Sequence, residues 1–172
     1  MRQAAIYPGT FDPLTLGHLD VIERVAAIFD RVVVAVVSIP PRKSPMFTLE
    51  ERVDMARESV GHLANVEVDS FDGLLVHYAH FKDIHVLVRG IRAYSDFEYE
   101  FQMALMNRKL APDVETLFLM PKEAFSYISS SAVREISDRG GDTSELVPPP
   151  VQSCMEKRVR QIGAGRRGGH DY

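Results

Sequence analysis

Short β-branched runs that alternate with amphipathic segments constrain this chain more than any other feature. Ala4 to Tyr7, Val32 to Val37, Val66 to Val68, His85 to Val88 and Thr116 to Leu119 read as strands, with helical patterns between them. That alternation is the signature of a parallel sheet wrapped by helices, and it predicts an α/β fold with five strands.

The helical segments have recognisable edges. Ile22, Val25, Ala26 and Phe29 recur at helical spacing, which predicts a helix from about His18 to Phe29 with His18 in its first turn. Thr48-Leu49-Glu50-Glu51 has the form of a capping box opening a second helix. Ser95-Asp96-Phe97-Glu98 reads as another box, for a helix reaching about Arg108, and a shorter helix is expected over Leu74 to Phe81. Ser129-Ser130-Ser131 precedes a short helix closed by Gly140-Gly141, and Pro148-Pro149-Pro150 marks a stiff turn before a last helix to about Gln161.

At 172 residues and 45% apolar composition, the chain can bury one good core and needs no second. The expected domain is 1-162. Residues 163-172, with four glycines and two adjacent arginines, read as a disordered tail. The single Cys154 cannot form an internal disulfide and has no visible activating partner, so a reducing, cytoplasmic setting is expected and a catalytic thiol is not. Ala4 to Tyr7 is too short for a signal-peptide core, and no run of about 18 apolar residues offers a membrane span. A net charge of -4 argues against a surface that coats nucleic acid.

The strongest local signal is Tyr7-Pro8-Gly9-Thr10-Phe11-Asp12-Pro13-Leu14-Thr15-Leu16-Gly17-His18, which leaves the C-terminal end of the first strand and enters the first helix. Ligands bind there in open α/β sheets. Gly9 and Gly17 permit close approach of a phosphate, the helix start offers unpaired N–H groups, and His18 adds an imidazole donor. On spacing alone, a structural Pro-Gly turn before a capped helix explains the same residues.

Thr15-x-Gly17-His18 resembles the first motif of the nucleotidylyltransferase superfamily, and Ile128-Ser129-Ser130-Ser131-Ala132-Val133-Arg134 resembles its second signature. The opening Tyr7 to Pro13, the turn Arg89-Gly90-Ile91-Arg92 with Asp96 to Glu100, and Met106-Asn107-Arg108 are similar to the phosphopantetheine adenylyltransferase family, from about Ala5 to Pro149. The resemblance implies a Rossmann-like nucleotidyltransferase fold, homohexameric assembly, and transfer of the adenylyl group of ATP to 4'-phosphopantetheine.

Carried over by position, the resemblance puts Thr10 in contact with both substrates. It places Phe11, His18, Gly90, Ile91, Arg92, Glu100, Phe125, Ser126, Tyr127, Ile128, Ser129, Ser130 and Ser131 at ATP. Lys43, Leu75 and Arg89 go to phosphopantetheine, and His18, Lys43 and Arg92 to catalysis. The loop Ser38 to Met46 is one residue longer than the family's usual version, so Arg42 stands as the alternative to Lys43. Magnesium is expected to ride on the ATP phosphates and need few protein ligands.

Bland readings stand beside these. Arg89 to Arg92 has the composition of a solvated loop, and Ser129 to Ser131 that of a simple helix cap. His77 and His80 lie three apart on a helix with no third ligand at a convincing spacing. Met103, Met106 and Leu110 read as packing residues. The functional rivals are a superfamily enzyme with another acceptor and a non-catalytic sensor of ATP or coenzyme A.

Overall fold

A computed structural model of the chain describes residues 3–38 and 45–167. Lys43 and Arg42 lie outside the described residues. Five strands, β1 (Ala4–Gly9), β2 (Arg31–Val37), β3 (Val66–Phe71), β4 (Val86–Gly90) and β5 (Glu115–Leu119), form one parallel sheet in the order β3-β2-β1-β4-β5. The chain winds one way from β1 to β3 and then returns to β4 on the other side of β1. The reversal opens a crevice at the C-terminal ends of β1 and β4, where the connections to β2 and to β5 leave in opposite directions.

The centre of the sheet is buried because successive side chains point to opposite faces and the central strands are apolar on both. On one face Ala5, Tyr7, Val32, Val34, Val36 and Val88 pack under α1 (Leu16–Ile28), α2 (Leu49–Val60), α5 (Ser130–Asp138) and α6 (Pro149–Arg167). On the other, Ile6, Val33, Ala35 and Leu87 pack against α3 (Leu75–Phe81) and the residues following α4 (Tyr94–Leu110).

Helix α2 begins as its box predicts: Thr48 Oγ1 accepts from the Glu51 N–H, and the Thr48 N–H donates to Glu51. Helix α4 does not. Its N-cap is Ala93 with no side-chain cap bond, and Ser95 lies inside the helix. Asp96, in the first turn, accepts from the Arg92 N–H and guanidinium. Helix α6 runs through Arg167, past the expected end at Gln161, because adding residues to an existing helix costs far less than starting one. Residues 168–172 lie outside the description. No described helix is long and apolar enough to cross a membrane.

Helix α4 also departs from the amphipathic pattern of a surface helix. Tyr94, Phe97, Tyr99, Phe101, Met103, Leu105, Met106 and Leu110 are all exposed, so its apolar residues point outward around much of its circumference. Met103, Met106 and Leu110 therefore do not serve as packing residues within this chain.

Candidate active site

The site is built around the start of α1. Thr15 is its N-cap, and the fourth member of its capping box is a histidine. The His18 N–H donates to Thr15 Oγ1 at 3.3 Å, while the Thr15 N–H donates to His18 Nδ1 at 3.1 Å. An imidazole whose Nδ1 accepts a backbone N–H carries its proton on Nε2 when neutral. The ring is half-buried in the cavity wall. Burial, reinforced by the charges of Arg92 and Arg89, pushes its pKa down to about 4. His18 is thus a neutral donor with a fixed tautomer.

Phe11 completes the wall beside it, with its ring edge-on to His18 at 5.2 Å and to Tyr7 at 5.6 Å. Phe11 holds a left-handed backbone, φ 49°, and its ring lies over Gly9, where a Cβ would fall 2.7 Å from a ring carbon. Gly9 therefore makes room for Phe11 rather than for a phosphate directly. Gly17 similarly admits the Phe125 carbonyl, 3.3 Å from the place of a Cβ.

Asp12, between these residues, is buried and accepts from the backbone N–H groups of Met46 and Phe47, each at 2.9 Å. It anchors the backbone that leads into α2. Arg52, also fully buried, donates from one nitrogen to the carbonyls of Thr10 at 2.8 Å and Val37 at 2.9 Å, and from another to Ser38 at 3.2 Å. The C-terminal ends of β1 and β2 are fastened together through one side chain.

From β4, Arg89 reaches back across the crevice. It forms a two-point pair with Glu100 at 2.7 and 2.6 Å and donates to the Pro8 carbonyl at 2.8 Å. Burial works against its charge, but the bonds to Glu100 outweigh it and raise its pKa above the usual arginine value. Arg92 pairs with Asp96 at 2.9 and 3.2 Å and donates to the Ile128 carbonyl at 3.1 Å.

The serine segment closes the site from the other side. Ser129 caps α5 by accepting from the Ala132 N–H at 3.0 Å, Ser130 Oγ donates to the Pro13 carbonyl at 2.8 Å, and Arg134 donates to the Asp12 carbonyl. The two sequence motifs are thereby stitched together. The Ser130 hydroxyl proton is already committed, so the anion donors at this helix start are its free first-turn N–H groups and the Ser129 and Ser131 hydroxyls, which only accept within the chain.

These elements enclose a cavity of about 460 Å³ at the crevice. It brings together Thr10, Phe11, His18, Arg89, Gly90, Arg92, Glu100, Ser129, Ser130 and Ser131. Of the other expected residues, Leu75 packs against the opposite face of the sheet, Phe125 against the core, and Ile128 is buried. Tyr127 is exposed, Ser126 bonds Glu123, and Ile91 continues the sheet by donating to Leu119. None of these six lines the cavity. Tyr7, Thr15, Asp96 and Tyr99, which the sequence offers as motif positions without a role of their own, and Pro121, which carries no sequence signal, also line it. The Thr15-x-x-His18 spacing is itself a capping-box signal that could have revealed the tautomer.

A family profile for cytidylyltransferase-like proteins matches residues 6–136. The chain is 53% identical over 159 residues to the phosphopantetheine adenylyltransferase of Carboxydothermus hydrogenoformans, covering 92% of this chain and 98% of that one. It is likewise 53% identical over 159 residues to the enzyme of that name from Thioalkalivibrio sulfidiphilus, covering 92% and 99%. A Vibrio parahaemolyticus crystal structure, provisionally assigned as a nicotinate-nucleotide adenylyltransferase, superposes with a TM-score of 0.66 at 22% identity, covering 90% and 99%. This last likeness bears on the fold.

Proposed function

Because the chain belongs to the phosphopantetheine adenylyltransferase family, within the cytidylyltransferase-like nucleotidyltransferases, we propose that it transfers the adenylyl group of ATP to 4'-phosphopantetheine, giving dephospho-coenzyme A and pyrophosphate. The observation that carries the chemistry is the convergence of a neutral, tautomerically fixed His18 with two helix starts and two arginines on one crevice.

The acceptor phosphate is largely dianionic near neutral pH, by analogy with phosphorylated side chains, so its oxygen attacks without a general base. The bond from that oxygen to the α-phosphorus forms as the bond to the bridging oxygen breaks, and pyrophosphate leaves with the electron pair. This is an in-line displacement with inversion and no covalent enzyme intermediate. What remains for the protein is alignment and charge stabilisation.

His18 donates from Nε2 to a non-bridging α-phosphate oxygen. The starts of α1 and α5 supply N–H groups to the phosphates, and Arg92 supplies positive charge. Arg89, held rigid by Glu100, faces the acceptor phosphate together with Lys43, whose role rests on resemblance. Asp96 and Glu100 are both taken up by arginines. That donor set suits magnesium arriving on ATP as part of the substrate.

The exposed apolar surface of α4 supports homohexameric assembly in which copies of the chain cover it. A cytoplasmic location is part of the same reading.

The test is pyrophosphate release from magnesium-ATP with 4'-phosphopantetheine and nicotinate mononucleotide supplied in parallel. Release with phosphopantetheine alone, with dephospho-coenzyme A formed, is the expected result. Release only with the mononucleotide rejects the acceptor, and silence with both rejects catalysis.

A further inference from the structure

The end of the sheet opposite the cavity carries a second cluster of chemistry-bearing side chains, made where α3 turns into β4. The turn is a Schellman motif: the Ile84 N–H donates to the Ala79 carbonyl at 3.0 Å and the Asp83 N–H to the His80 carbonyl at 3.0 Å. Asp83 takes the left-handed position at φ 53°, where glycine is usual and aspartate is tolerated. Ala79 and Ile84 are both buried in the core, so the residues following each, His80 and His85, are fixed on a rigid base.

Asp113 is supplied by a different segment, and it too is braced. Its neighbours Ala111 and Val114 are buried, and the Glu115 N–H donates to the His85 carbonyl at 2.8 Å where β4 and β5 begin to pair. The result places His80 Nε2 3.2 Å from each oxygen of Asp113, and His85 Nδ1 2.9 Å from one of them. One ligand atom from each of the three residues lies within 4.8 Å of the others, the only such cluster among the described residues. His77, the sequence neighbour considered as a partner for His80, takes no part in it.

We propose that His80, His85 and Asp113 form a divalent transition-metal site of the zinc class, which clamps the α3–β4 turn to the segment between α4 and β5. Two imidazole nitrogens and a carboxylate oxygen are a ligand set that zinc accepts with water in the fourth position. Ligand atoms about 3.3 Å apart are what tetrahedral bonding at zinc requires, close to the spacings of both histidines from Asp113. Asp83 lies 3.5 Å from His85 Nε2, so it faces the ring nitrogen that does not face Asp113, the arrangement in which a carboxylate orients a metal-binding histidine. All three ligands are exposed, so an ion reaches them without opening the fold.

The test is calorimetric titration of the chelator-treated full-length protein with Zn2+, paired with the absorption spectrum of its Co2+ form. One tight site per chain is expected, with His80→Ala and His85→Ala each weakening it at least tenfold. His62→Ala and His77→Ala leave it unchanged. Pyrophosphate release by His85→Ala stays at the unsubstituted level, because this end of β4 is remote from Arg89 and Gly90. Binding weaker than about 100 μM, or tight binding that survives both ligand substitutions, overturns the assignment.

Discussion

The backbone N–H of Thr15 donates to Nδ1 of His18, so one helix cap both starts α1 and selects the tautomer of the residue best placed to donate to a phosphate. NMR of the free enzyme should show His18 as the Nε2–H form, titrating near pH 4 rather than near the usual 6.5. The sign for stability follows: the fold favours the neutral ring, so this contribution is complete above the unfolded pKa and is lost as pH falls from about 6.5 toward about 4. A loss of urea stability in that window should shrink in His18→Asn. A midpoint near 6.5, or an Nδ1–H ring, would contradict the assignment.

His18→Ala removes one aimed donor while leaving the arginines and helix starts in place. The expected loss is about 10²–10³ in kcat, the range for deleting a single transition-state donor, with KM for ATP changed only a few-fold. An unchanged kcat would take His18 out of the mechanism.

Arg89 is held at two points by Glu100, and lysine cannot reproduce that fork. Arg89→Lys should raise KM for 4'-phosphopantetheine about tenfold, as expected when a charge-assisted contact loses its geometry, with less effect on KM for ATP. An equal rise for both substrates would place Arg89 between them rather than at the acceptor.

Arg52→Met tests the tie between β1 and β2. It leaves the Thr10, Val37 and Ser38 carbonyls without the donor that now joins them in a buried place. Unfolding free energy should fall by roughly 3 kcal/mol, the scale for breaking a buried charged network. A shift in the urea midpoint of the unliganded protein measures it, and a stability within 0.5 kcal/mol of the starting protein, the usual range for a neutral surface change, would show that Arg52 bears no such load.

What the sequence made legible was what local chemistry encodes. The central strands β1 and β2 are recognisable within a few residues because their apolar runs are buried on both faces, and the box at Thr48 and the cap at Ser129 are short-range patterns. Long-range partners have no such pattern. Asp12 bonds amides 34 and 35 positions away, Lys122 donates its N–H to Asp20 across 102 positions, and Arg134 reaches Asp12 across 122. The Ser95 box failed because the helix begins at Tyr94, one residue before it, which puts Ser95 inside the helix instead of at its cap. His80 and Asp113 meet only because β4 and β5 are neighbours, a fact of topology rather than spacing.

Helix α4 supplies the last prediction. Tyr94 is 90% exposed, Met106 56% and Leu110 61%, which a single copy has no means of covering. If copies of the chain cover this surface, charge placed within it must disrupt them, because a buried unpaired carboxylate costs several kcal/mol. Met106→Glu with Leu110→Glu should therefore convert an oligomer to smaller species by light scattering, while the far-ultraviolet circular dichroism stays native because neither side chain supports the core. A starting protein that is already monomeric, or an assembly indifferent to both substitutions, would move the interface away from α4.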